Sequence, residues 1–134
     1  MKTGVIFWSG TGNTEAMAKA VAEGANTEAV NVSDFRGSIA DYDALAFGCP
    51  AMGEEVLEEA EFEPFFAGIE ADLSGKKVAV FGSYGWGDGQ WMRDWEERVK
   101  SNGAVLVADG LICNEAPDDD MLGKCKALGA ELLK

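Results

Sequence analysis

KKVAVFGSYGWGDGQWMRDWEER, residues 76–98, decides the fold. Residues 76–84 form a β-branched and aromatic run of the kind found in a strand covered on both faces. GWGDG, 85–89, ends the run and opens a helix that carries Met92, Trp95 and Val99 on one face. Strand–turn–helix units of this kind recur on either side. Residues 2–8 (KTGVIFW) read as a first strand and 9–14 as a polar turn. The helix that follows has Met17, Ala20, Val21 and Gly24 along one face and Glu15, Lys19 and Glu23 along the other. Residues 27–32 and 43–48 suit a second and a third strand, and a helix is expected near 62–72. Residues 104–112 supply a fifth strand, interrupted around Asp109-Gly110, and a last helix carries Met121, Cys125, Leu128 and Leu132. Strands alternating with helices five times predict an α/β protein, with a parallel sheet covered by helices on both faces. Residues 1–134 show no repeat, linker or second domain, so one domain is expected.

Composition narrows the chemistry. The formal charge is −13, from 24 acids and 11 bases, and histidine is absent. So negative a surface repels phosphate backbones and anionic lipid, which argues against nucleic-acid and membrane partners. Without histidine, Ser-His-Asp, Cys-His and His–metal chemistry are excluded, and reactivity is expected to come from a cofactor. No apolar run approaches the ~20 residues needed to span a bilayer, and Lys2 leads directly into the first strand, so a cytoplasmic location is expected. Cys49, Cys113 and Cys125 are widely spaced and form no CxxC pair, which disfavours a disulfide frame or a structural metal site.

In open parallel sheets, ligands bind beyond the carboxyl ends of the strands, where strand order reverses. Three loops at such ends are candidates. Ser9-Gly10-Thr11-Gly12-Asn13-Thr14 offers backbone amides, three hydroxyls and a side-chain amide at a helix N-terminus, where an anion is favoured. It lacks the lysine of a Walker loop, and Glu15 stands where a dinucleotide fingerprint needs glycine. Three hydroxyls in six residues exceed what a capped turn requires. Ser83-Tyr84-Gly85-Trp86-Gly87-Asp88-Gly89 sets Trp86, which lies on no periodic face, among glycines that let backbone approach a flat ring. The loop after strand three, Pro50-Ala51-Met52-Gly53-Glu54-Glu55, adds a soft thioether and a glycine whose peptide turns at little cost.

WSGTGNTEAMA (8–18), GCPAMGEEVLEE (48–59), EFEPFF (61–66) and residues 76–98 together resemble flavodoxins, specifically the short-chain kind of anaerobic bacteria. The resemblance implies a flavodoxin-like three-layer sandwich, its five-stranded parallel sheet in 2-1-3-4-5 order, which obeys the same switch-point rule. It also implies one non-covalent FMN and an electron-transfer protein without substrate turnover, cycling at low potential mainly between semiquinone and hydroquinone. Carried over by position, Ser9, Gly10, Thr11, Gly12, Asn13 and Thr14 bind the phosphate. Met52 lies on one flavin face and Trp86 on the other. Glu55 accepts the flavin N3–H, the amides of Glu54 and Glu55 serve O4, and those of Gly85 and Gly87 serve the pyrimidine edge. Ser83 and the Pro50-Ala51 backbone reach the phosphate or ribityl chain, Tyr84 and Asp88 complete their loop, and the Gly53 carbonyl turns toward protonated N5. The chain departs from the family at Glu54, where relatives often have Asp or Ser, and at Pro50, where Ser is frequent. The implied partners are ferredoxin- or flavodoxin-dependent oxidoreductases with basic docking surfaces, met by a monomer.

The acidic balance fits this reading. Two unit charges ~8 Å apart at an effective dielectric of ~20 repel by roughly 2 kcal/mol, on the order of 90 mV for one electron, so nearby carboxylates penalise an anionic flavin. Residues 54–63 (EEVLEEAEFE) hold six glutamates beside the expected flavin edge, a surface suited to basic partners. A receiver domain of the same topology would need acids where Trp8-Ser9-Gly10 and Phe47-Gly48-Cys49 stand. A flavin reductase would need a second nucleotide site, and a dedicated activator of one enzyme would share all of these features.

Overall fold

The computed structural model describes residues 2–134. Strands β1 (Thr3–Phe7), β2 (Ala29–Asn31), β3 (Ala44–Gly48), β4 (Lys77–Tyr84), β5 (Val105–Leu106) and β6 (Leu111–Asn114) alternate with helices α1 (Asn13–Gly24), α2 (Phe62–Ile69), α3 (Gln90–Ser101) and α4 (Asp119–Glu131). All strand pairs are parallel, in the order β2-β1-β3-β4-β5, with β6 also on β4. β5 and β6 are the two halves of the expected fifth strand, parted at residues 107–110 as the Asp109-Gly110 sequence suggests. The expected alternation fails once. Between β2 and β3 the chain crosses through two short 3₁₀ turns, Val32–Asp34 and Ile39–Asp41, in place of a helix. Gly37 and the β-branched and aromatic residues around it give this crossover no helical stripe to bury. The expected helix near 62–72 is α2 followed by a 3₁₀ turn, Glu70–Leu73.

Strand alternation sorts the core into two layers. Ile6, Leu45, Phe47, Val78 and Val80 face α2 and α3, where Phe62, Phe66, Trp91 and Trp95 form the aromatic layer. Val5, Ala44, Ala46, Ala79 and Phe81 face α1 and α4, against Met17, Val21, Cys125, Leu128 and Leu132. This second layer is lined by small residues. A methyl at Gly24 would run into the Lys126 carbonyl, and one at Gly129 into the Val21 carbonyl, so these glycines set how closely α1 and α4 approach. The registers Phe7↔Gly48, Gly48↔Phe81 and Tyr84↔Asn114 align the carboxyl ends of the central strands, and the loops that leave them meet at one edge.

Candidate functional site

The loops after β1, β3 and β4 meet around a cleft of about 440 Å³, within the range of small-ligand sites. From the first loop, Ser9, Gly10, Thr11, Asn13 and Thr14 line it; from the second, Pro50, Ala51 and Met52; from the third, Ser83, Tyr84 and Gly85. Trp8, Glu115 and Ala116 line it as well, which the sequence did not reveal. Gly12, Gly53, Glu54, Glu55, Trp86, Gly87 and Asp88 are not among the lining residues. Trp86 stands 65% exposed, as a tryptophan off every periodic face should.

Local chemistry fixes the first loop. Gly12 caps α1 at φ +99 without a side-chain hydrogen bond, and its amide donates to Ser9 Oγ at 3.1 Å. The amides of Asn13, Thr14 and Glu15, which a helix leaves without internal partners, find no acceptor among the described residues. They form an open donor cluster at the positive end of α1. Thr14, 1% exposed, accepts the Ser83 amide at 3.3 Å, so its hydroxyl proton remains free. Ser83 spends its own proton on the Glu115 carbonyl, 2.8 Å away, and is thereby committed to joining β4 to the segment after β6. Glu115, held at φ +60, returns its amide to the Tyr84 carbonyl at 2.8 Å. Its carboxylate is the one charged side chain of the lining, and no Lys or Arg lines the cleft.

The second loop is a closed turn. Met52 and Val56 exchange both backbone hydrogen bonds, at 2.8 and 3.1 Å, around Gly53 (φ +46), Glu54 and Glu55 (φ +57). A methyl at Gly53 would meet nothing within 4 Å, so it is backbone conformation that favours glycine here. The loop is anchored at both ends, by the Ala51 amide on the Ser83 carbonyl (3.1 Å) and the Glu58 amide on Cys49 Sγ (3.3 Å). The thiol itself is deeply buried, and that burial raises its pKa to about 12.

The acidic segment is less free than its composition suggests. Glu58 is 7% exposed and accepts the amides of Ala60, Glu61 and Phe62 at 2.8–2.9 Å, at the entry to α2. Burial pushes its pKa up, but the three amides outweigh burial and hold it below the ordinary carboxylate value. Glu61 accepts the Trp8 indole N–H, and Glu63 pairs with Arg98 at 2.7 Å. Arg98 also forks onto Glu70, whose carboxyl it holds low, and stacks on Phe66, so it ties α2 to α3. Glu55 turns to α3 and accepts the amides of Gly89 and Gln90. Of the six glutamates, only Glu54 and Glu59 have no partner among the described residues. Most of the segment expected to meet basic partners is therefore engaged within the chain.

The other expected site components can be placed as well. Asp88 is exposed and pairs with Arg93 at 3.0 Å. Among the described residues, no His, Cys, Asp or Glu group is arranged to hold a metal, and no helix is long and apolar enough to cross a membrane.

A doubly wound sheet with a donor-rich loop at its switch point defines an α/β protein whose cleft suits an anionic ligand. The flavodoxin family profile matches residues 5–129. The chain is 52% identical to a flavodoxin of Clostridium beijerinckii, over 86% of this chain and 88% of that one. It is 44% identical to a flavodoxin of Megasphaera elsdenii, over 97% of each. The solution structure of two-electron reduced Megasphaera elsdenii flavodoxin superposes with a TM-score of 0.86, at 42% identity and 97% coverage of both chains. The chain belongs to the flavodoxin family. As a member of that family it is an FMN-binding electron carrier for redox enzymes, with no substrate turnover of its own.

Proposed function

We propose that residues 1–134 act as one domain that holds FMN in this cleft as a low-potential one-electron carrier, cycling mainly between semiquinone and hydroquinone. The observation that carries the reading is the open N-terminus of α1, its amides unclaimed and its Glu15 paired with Lys19, facing a cleft lined by no Lys or Arg. The residues fit the cofactor. Ser9, Gly10, Thr11, Gly12, Asn13 and Thr14 would hold the phosphate through backbone amides and hydroxyls, with Thr14 keeping a proton to donate. Ser83, its proton on the Glu115 carbonyl, would position Thr14 instead of donating to phosphate itself. Met52 and Trp86, 36% and 65% exposed, are the apolar surfaces available to the two ring faces. Pro50 and Ala51 would border the ribityl chain, Tyr84 and Asp88 would complete their loop, and the backbone of Glu54, Gly85 and Gly87 would meet the ring edge. Glu55 Oε1 serves α3, leaving Oε2 for the flavin N3–H.

Bound FMN supplies one-electron chemistry; the chain sets its potential. With no lysine or arginine in the lining, the phosphate charge stays uncompensated, and Glu54 and Glu115 add to it. Stepwise reduction of the loaded protein, followed by its visible spectrum, should pass from yellow through a transient blue form to colourless; direct bleaching would contradict the reading. Glu54→Gln should raise the second one-electron potential, by up to about 90 mV for a carboxylate ~8 Å away.

The same reading includes a monomer in the cytoplasm. Three buried, unpaired thiols suit a reducing compartment, and a single peak of monomer mass in size exclusion is expected. Oxidoreductases with basic docking surfaces would meet the free carboxylates of Glu54 and Glu59. Electron transfer to such a partner should slow as salt rises, and rates indifferent to ionic strength would refute that part.

A further inference from the structure

Glu55 does more than border the cleft. Its Oε1 accepts the Gly89 amide at 3.1 Å and the Gln90 amide at 3.0 Å, bridging 34 and 35 residues of sequence. Gly89 caps α3 at φ +93 and brings no side chain of its own, so Glu55 finishes this helix from outside. Its own backbone is left-handed at φ +57, which few residues with a Cβ adopt. The fit is tight at Gly87, where a Cβ would stand 2.6 Å from Glu55 Cδ. On the near side, Glu55 sits inside the turn closed by the Met52–Val56 hydrogen bonds. One side chain thus spans the two loops from which Met52 and Gly85 line the cleft.

We propose that Glu55 is a positioning residue that latches the Met52–Val56 turn to the N-terminus of α3, so that the methionine and tryptophan loops keep one register. Because a single oxygen takes both amides, glutamine can keep the latch without the charge. Aspartate keeps the charge but is one methylene short of the reach. An electrostatic helix–dipole effect would survive Glu55→Asp, and a simple cap would leave the Met52–Val56 turn untouched. The consequence for FMN rests on the reading of the cleft given above; the latch itself can be read without FMN.

The test is amide hydrogen exchange of the full chain, with and without FMN. In Glu55→Asp, exchange at Gly89 and Gln90 and at Met52 and Val56 should rise together by roughly tenfold, and Glu55→Gln should restore all four. The amides of Val5 and Ile6 in β1 report whether each variant is folded. If Glu55→Asp does not fold, Gly87→Ala, which presses a methyl against Glu55 Cδ, should loosen the same four amides. Native exchange at Gly89 and Gln90 in a folded Glu55→Asp chain would overturn the latch. So would faster exchange there with Met52 and Val56 unmoved. FMN affinity should fall roughly tenfold in Glu55→Asp. Loosened amides with unchanged FMN affinity would support the latch and instead remove the reading that these loops hold FMN.

Discussion

The N-termini of α1 and α3 both belong to loops of one cleft, yet they are finished differently. α3 begins at Gly89 with the Glu55 carboxylate on its amides. α1 begins at Gly12 with no carboxylate on its amides: those of Asn13, Thr14 and Glu15 are unclaimed among the described residues, and the Glu15 side chain pairs with Lys19 instead. The remaining helices follow α3: Glu58 fills the entry to α2, and the Asp118 side chain accepts the Met121 amide at 2.9 Å in α4. In a chain of charge −13, with acids to spare for every helix, the end left open is the one over the cleft. Where an internal carboxylate satisfies the amides the helix is only stabilised; where none does, the same donors and dipole are available to a bound anion.

Filling the open end is the severest test of this contrast. Thr11→Asp puts a carboxylate beside the proposed phosphate position, and unit charges ~4 Å apart at an effective dielectric of ~20 repel by about 4 kcal/mol. FMN affinity, read by fluorescence quenching, should fall by two to three orders of magnitude, roughly, while riboflavin, which lacks the phosphate, loses little. Equal losses for the two ligands would break the comparison.

Emptying a filled end should cost stability and not cofactor. Glu58→Ala leaves three amides without their acceptor and should lower unfolding stability by about 2 kcal/mol in urea. Because the folded pKa of Glu58 is depressed, its contribution is present above the unfolded carboxylate value of about 4.3. That contribution disappears as pH falls through the lower folded value. The gap between native and variant stability should therefore close on acidification; a gap that widens would reverse the assignment.

Between the two kinds of helix end lies the turn that holds Gly53 at φ +46. Gly53→Val should cost about 1–2 kcal/mol through backbone conformation alone and reduce the yield of the blue form during reduction. An unchanged yield would remove Gly53 from the account. The smallest effect is expected at α4, where Asp118→Ala should lower stability by about 1 kcal/mol and leave FMN affinity as it was.

The sequence disclosed the fold well because the strands are short apolar runs closed by glycine-rich turns. Even the break at Asp109-Gly110 showed as a lapse of pattern between β5 and β6. The first loop was legible as an open helix end on the cleft because its features are local: hydroxyls and amides within six residues, opening one helix. Trp86 was legible by elimination, since Trp91 and Trp95 fall on the buried face of α3 and it does not. What escaped depends on contacts between distant segments. Glu115 and Ala116 reach the cleft because β6 pairs with β4 and the Glu115 amide meets the Tyr84 carbonyl. Glu55 and Glu58 look in sequence like any solvated glutamate, and only the tertiary fold brings helix amides to them.

Parallel calorimetric titration of the FMN-free chain with FMN and with riboflavin tests the central claim most directly. If the open end of α1 exists to take a phosphate, two charge-assisted hydrogen bonds from its amides suffice to make FMN bind at least about a hundredfold tighter than riboflavin. Equal affinities for the two would contradict the account.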